Sequence, residues 1–130
     1  MKIKLLNFSH PLTEENLKET AALLGCEAAD IEVAEVPSRV DLDMPLEPQV
    51  ASMLNSFGMD PREWQTLPLV VHLPSLSASA AVLLAQMHGL CGWFPSVLRF
   101  APENSGPLTR YAVAEVINLQ AVREGARAVR

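Results

Sequence analysis

The chain opens on apolar positions Ile3, Leu5, Leu6 and Phe8, which read as a central strand over Lys2 to Phe8, buried on both faces. Ser9-His10-Pro11 breaks that run. From Thr13 the period becomes helical: Leu17, Ala21 and Leu24 share a face, Thr13 is a natural N-cap, and Gly25 is a natural stop. Alternation returns over Ile31 to Val36, a second strand ended by Pro37-Ser38-Arg39. Pro45 and Pro48 keep the next stretch irregular, and a helix is predicted from about Glu47 to Phe57, closed by Gly58. Asp60-Pro61 starts a short capped turn, with proline at the first helical position. Leu67 to Leu73 is the most apolar strand, with Pro68 near its start. Pro74-Ser75-Leu76 turns the chain into a helix from Ser77 to His88, predicted to stop at Gly89. Ser96 to Ala101 and Tyr111 to Ile117 are the last strands, separated by a loop at Pro102 to Pro107. Asn118 caps a final helix, Leu119 to Arg130, whose Arg123, Arg127 and Arg130 suit its negative end.

Strands alternating with helices predict a parallel sheet with helices on both faces. The loop between the last two strands is too short for a crossover, so those strands pair antiparallel. The predicted fold is a small doubly wound α/β domain spanning 1–130, mostly parallel with one antiparallel edge strand.

Composition narrows the function. Apolar residues are 49% and charged residues 19%, which argues against disorder. The net charge of -5 argues against a broad grip on duplex nucleic acid. A compact anion held by helix N-terminal amides stays possible. Cys26 and Cys91 have no metal-type spacing, so free thiols are expected and no metal site. The apolar stretch Leu67 to Phe94 is broken by Pro68, Pro74 and Gly89, so no membrane span is expected and a cytoplasmic location is.

In open parallel sheets ligands bind beyond the carboxyl ends of the strands. Asn7 to His10, Pro37 to Arg39, Leu73 to Ser77 and Ala101 to Arg110 gather there. The sharpest of these is Leu73-Pro74-Ser75-Leu76-Ser77, followed by Ala78-Ser79-Ala80-Ala81. Small residues at a helix start let a ligand reach free N–H groups; the same run also reads as an ordinary helix with Ser77 as its N-cap. There is no dinucleotide or P-loop fingerprint, and no cofactor is expected. Asn7, Ser9 and His10 offer an amide, a hydroxyl and an imidazole, with Phe8 to pack; they read equally as a solvated loop. His72 reads as a core histidine with one hydrogen bond, and Arg99 and Arg110 are the basic candidates near the edge. No nucleophile–base–acid set is visible, so any hydrolysis would orient the substrate's own hydroxyl for in-line attack.

The joint order of Leu5-Leu6-Asn7-Phe8-Ser9-His10-Pro11-Leu12-Thr13, Trp64-Gln65-Thr66-Leu67-Pro68-Leu69, Leu73-Pro74-Ser75-Leu76-Ser77, Phe94-Pro95-Ser96-Val97-Leu98-Arg99 and Ala114-Glu115-Val116-Ile117-Asn118-Leu119-Gln120 resembles the CRISPR-associated Csx-fifteen family of type III systems. The resemblance implies a minimal, Rossmann-like CARF-type domain, usually dimeric, holding a cyclic oligoadenylate across the two-fold axis. Cyclic tetra-adenylate is the ligand it implies most directly. Without a nuclease or membrane effector, such a domain would damp antiviral signalling by sequestering the messenger. The alternatives are a metal-independent ring nuclease and a structural partner of an effector complex. Carried onto this chain, the implied ligand residues are Asn7, Phe8, Ser9 and His10 with Leu73, Pro74, Ser75, Leu76 and Ser77; Arg110 is added from its place at the edge. Ser9, His10 and Ser75 are the candidates for assisting cleavage.

Overall fold

The computed structural model describes residues 2–130. Strands β1 (Ile3–Asn7), β2 (Ile31–Glu35), β3 (Leu69–His72), β4 (Ser96–Glu103) and β5 (Arg110–Asn118) form one sheet in the order β2-β1-β3-β4-β5. The first four run parallel, and β5 pairs antiparallel with β4. Helices α1 (Glu14–Leu24), α2 (Leu46–Asn55), α3 (Pro61–Thr66), α4 (Ser77–Cys91) and α5 (Leu119–Arg127) complete a Rossmann-like α/β fold, as the alternation predicts.

Two cores explain the layers. On one face Leu17, Ala21 and Leu24 of α1 pack with Ile3, Leu5, Ile31, Val70, Leu98 and Val113. On the other, Val50, Met53 and Leu54 of α2, Trp64 of α3, and Leu83, Met87 and Cys91 of α4 pack on Leu6, Leu69, Val71 and Val97. The crossover from β1 therefore lies on one face and the crossover from β3 on the opposite face. The strand order reverses between β1 and β3, and that point is where an open sheet of this kind leaves a crevice.

Local chemistry sets most ends. Thr13 Oγ1 accepts from Asn16 N at 3.0 Å while Asn16 Oδ1 accepts from Thr13 N at 3.1 Å, a reciprocal cap for α1. Asp60 and Glu63 do the same for α3, and Asn118 caps α5. Several predicted boundaries move. Helix α4 runs through Gly89 and ends at Gly92, whose φ of 87° takes the left-handed cap. Its N-cap is Leu76, not Ser77, which is already helical. Strand β4 continues through Pro102 to Glu103, because the edge-facing hairpin tolerates a missing N–H. A short 3-10 turn at Ala28–Asp30 precedes β2, and α5 ends at Arg127.

The β4–β5 hairpin is bent by a bulge: Arg99 pairs with Glu115 but Phe100 pairs with Val113, leaving Ala114 over. Its outer half is tied to α1, where Asn16 Nδ2 donates to Tyr111 O at 3.2 Å and Val113 N donates to Glu19 Oε1 at 3.1 Å. No helix among the described residues is long and apolar enough to cross a membrane.

Candidate functional site

The turn after β1 and the turn after β3 meet at the carboxyl edge, where Phe8 N donates to His72 O at 2.9 Å. They are built on opposite logics. In the first, polar groups are spent on one another. Asn7 is 1% exposed; its Oδ1 accepts from Ser9 N and from His72 Nδ1, each at 3.0 Å. Its Nδ2 donates to His10 O at 3.0 Å. The amide therefore shapes the turn and has little left for a ligand, contrary to the expectation that Asn7 is a ligand residue. Phe8 is fully buried and meets Phe57 edge-on with centroids 5.5 Å apart, so it belongs to the core and is corrected as a ligand contact.

His72 donates from Nδ1, which leaves the lone pair on Nε2. Burial, with a smaller electrostatic contribution from neighbouring His10, pushes its pKa down to about 4. Its imidazole is thus neutral near pH 7. His10 stands over it, with ring centroids 4.8 Å apart and planes at 87°, and Phe100 closes the trio at 5.4 Å from His10 and 4.7 Å from His72. His10 remains exposed and Ser9 half-buried, with Ser9 Oγ 3.4 Å from His10 Nδ1. These two keep groups that a ligand can reach.

The second turn is open. Pro74 is buried and Leu73 half-buried, so these two position the turn, whereas Ser75, Leu76, Ser77 and Ala78 are exposed. No side chain caps α4. Ala80 N makes the first helical bond, to Leu76 O at 3.1 Å, so the amides before it have no helical acceptor. In the same turn Ser79 begins the sheet-facing stripe Ser79, Leu83, Met87 and Cys91. Its Oγ is buried without a hydrogen-bond partner, the only such side-chain atom among the described residues.

Arg110 is not brought to these turns. Its guanidinium meets Glu19 at 2.6 Å and also Glu103 and Glu15, and that contact with Glu19 raises its pKa further. Although burial works against ionisation of Glu19, bonds from Arg110, Val113 N and Asn16 outweigh it and hold the carboxyl below its usual range. Arg110 is thus a clasp between hairpin and helix, surrounded by carboxylates that oppose an anion. Arg99 is likewise paired, with Glu115 at 2.6 Å. Both cysteines are free; Cys91 is buried, and burial pushes its thiol up to about 11. Among the described residues no group of three or more His, Cys, Asp or Glu is placed to hold a metal ion.

Sequence reasoning missed the His10–His72–Phe100 cluster and the clasp. The period of β3 does put His72 on the face of Val70, and so on the α1 side, but nothing local shows which partner waits there. No family model, curated protein or solved structure matches the chain.

Proposed function

We propose that the chain is a binding module for a cyclic oligoadenylate, with cyclic tetra-adenylate the ligand the family resemblance implies. The observation that carries the reading is the first turn of α4, which is uncapped, exposed and follows directly on β3, where the strand order reverses beside β1. Its free amides and the Ser75 and Ser77 hydroxyls offer donors to phosphate oxygens without net positive charge. The -5 charge of the chain fits a local grip on a compact anion rather than a field over its whole surface. A two-fold dimer would double these donors around one ring, and capture of the messenger would damp type III CRISPR signalling.

The exposed His10 beside Ser9 favours a second reading, cleavage of the ring. The ribose 2′-hydroxyl would give its proton to His10 and form a bond to the adjacent phosphorus. The P–O5′ bond would break, and solvent would protonate the departing oxygen. Ser9 and Ser75 would hold the phosphate in line.

Incubation of excess protein with labelled cyclic tetra-adenylate separates these readings. Retained intact ring supports capture, and linear product supports cleavage. The absence of any ligand-induced rise in melting temperature at saturation would overturn both. Replacing Ser9 and Ser77 with alanine is expected to lower affinity at least tenfold while leaving the fold in place. Sedimentation with and without the ring tests the dimer.

A further inference from the structure

The two edges of the sheet are finished differently. At β5 the outward backbone groups are already used: Tyr111 O accepts from Asn16 Nδ2, and Val113 N donates to Glu19 Oε1. Helix α1 blocks that edge. At the other edge, β2 has β1 as its one strand neighbour. Val36 N donates to Asn7 O at 3.4 Å, which fixes the parity of the strand. Backbone groups of successive residues point to opposite sides, so Glu32 and Ala34 face β1, whereas Val33 and Glu35 face outward. Among the described residues, no hydrogen bond outside the β1 ladder reaches the N–H or C=O of Val33 or Glu35.

An open strand edge is a template on which another extended segment can pair. The charge around this one selects the partner. Residues 27–43 carry six carboxylates, Glu27, Asp30, Glu32, Glu35, Asp41 and Asp43, and one cation, Arg39. Their balance equals the -5 of the whole chain, so the remainder is neutral overall. The carboxylates also flank the edge on both faces. Ile31 and Val33 pack on the α1 side and Ala34 and Val36 on the α2 side, which puts Glu35 on the first face and Glu32 on the second. Both are exposed, and Lys4 approaches Glu32 only to 3.9 Å. Two copies of β2 laid side by side would set these carboxylates against each other, which disfavours self-pairing. Nucleic acid is repelled in the same way.

We propose that β2 is a docking edge for an extended, Lys/Arg-rich segment of a partner protein, which joins the sheet as a sixth strand. Its main chain exchanges hydrogen bonds with Val33 and Glu35. Its cations meet Glu32 on one face and Glu35 on the other, because a strand presents successive side chains to opposite faces. The edge uses no residue of the turns after β1 and β3, so it stands or falls apart from the ligand proposed above.

The experiment titrates the whole chain with the peptide acetyl-Val-Lys-Lys-Val-Lys-Lys-Val-amide, following amide resonances and hydrogen exchange. The Val33 and Glu35 amides are expected to shift and, at saturation, to exchange about tenfold more slowly or slower still. A peptide with alternate backbone nitrogens methylated keeps the charge but loses the strand donors, and is expected to bind about tenfold more weakly. Glutamate in place of lysine is expected to abolish binding. The double variant Glu32→Lys, Glu35→Lys is expected to melt near the parent, since both side chains are exposed, and to lose the basic peptide. If it melts far below the parent, the methylated peptide on the parent chain decides. Equal binding of the methylated peptide shows plain charge attraction and overturns strand addition. No binding of the basic peptide, or shifts that leave Val33 and Glu35 unmoved, overturns the docking edge. Slowed exchange at Val33 and Glu35 in the concentrated chain without peptide overturns it in favour of a second copy.

Discussion

Helices α1 and α4 leave the same edge of the same sheet on opposite faces, and their first turns contrast. The start of α1 is saturated: Thr13 and Asn16 cap each other, Asn16 reaches Tyr111, and Glu19 holds Arg110 and Val113 N. The start of α4 has no side-chain cap and a buried hydroxyl with no partner. Polar side chains near α1 are consumed by the fold, whereas the first amides of α4 have no side-chain cap. A count of polar residues at an edge therefore says little about binding until their internal partners are known, and Arg110 and Asn7 show the point from opposite ends of the chain.

The largest expected effect lies on the saturated side. Asn7→Ala removes three hydrogen bonds and strands the buried His72 donor, so it is expected to cost about 4 kcal/mol in denaturant unfolding. A loss below about 1 kcal/mol would show that the turn holds without its amide.

Next comes pH. His72 has a folded pKa of about 4 against an ordinary value of 6.5, so the unfolded chain binds more protons between those values. Stability then falls as pH drops from 6.5 toward 4, by about 3 kcal/mol over the window. His72→Gln is expected to remove most of this slope. Glu19 acts in the same direction at lower pH: its depressed pKa supports the fold above its ordinary 4.5, and that support is lost as pH falls through the folded value. An unchanged slope in the His72 variant would assign the whole acid response to the carboxylates.

Leu76→Asp carries the α1 solution to α4. A capping carboxylate is expected to stabilise the chain by about 1 kcal/mol and to compete with phosphate, lowering affinity for cyclic tetra-adenylate at least tenfold. Greater stability with unchanged affinity would show that the ligand does not use these amides.

The smallest effect separates the two first turns directly. Thr13→Ala is expected to cost about 1 kcal/mol, while Ser79→Ala changes stability by no more than about 0.5 kcal/mol, because no hydrogen bond is lost. Equal losses in thermal unfolding would mean that Ser79 has a partner in solution.

The sequence by itself determined the element order, the parallel sheet with its antiparallel edge pair, the caps at Thr13, Asp60 and Asn118, and the edge at which polar turns gather. All of these follow from side-chain period and from groups within a few residues of one another. It placed the end of α4 at Gly89, because a mid-helix glycine looks like a stop until a better one, Gly92, is seen to take the left-handed conformation. Only the tertiary structure decided which polar residues are free. The Asn7–His72 bond spans 65 positions and the Glu19–Arg110 contact spans 91, and no local pattern encodes either. The cavity lined by Val36, Arg39, Ser52 and Met53 depends in the same way on how α2 lies against the exit of β2. Periodicity sets the face a side chain takes, but packing between distant segments decides whether a charged or polar group there is already satisfied.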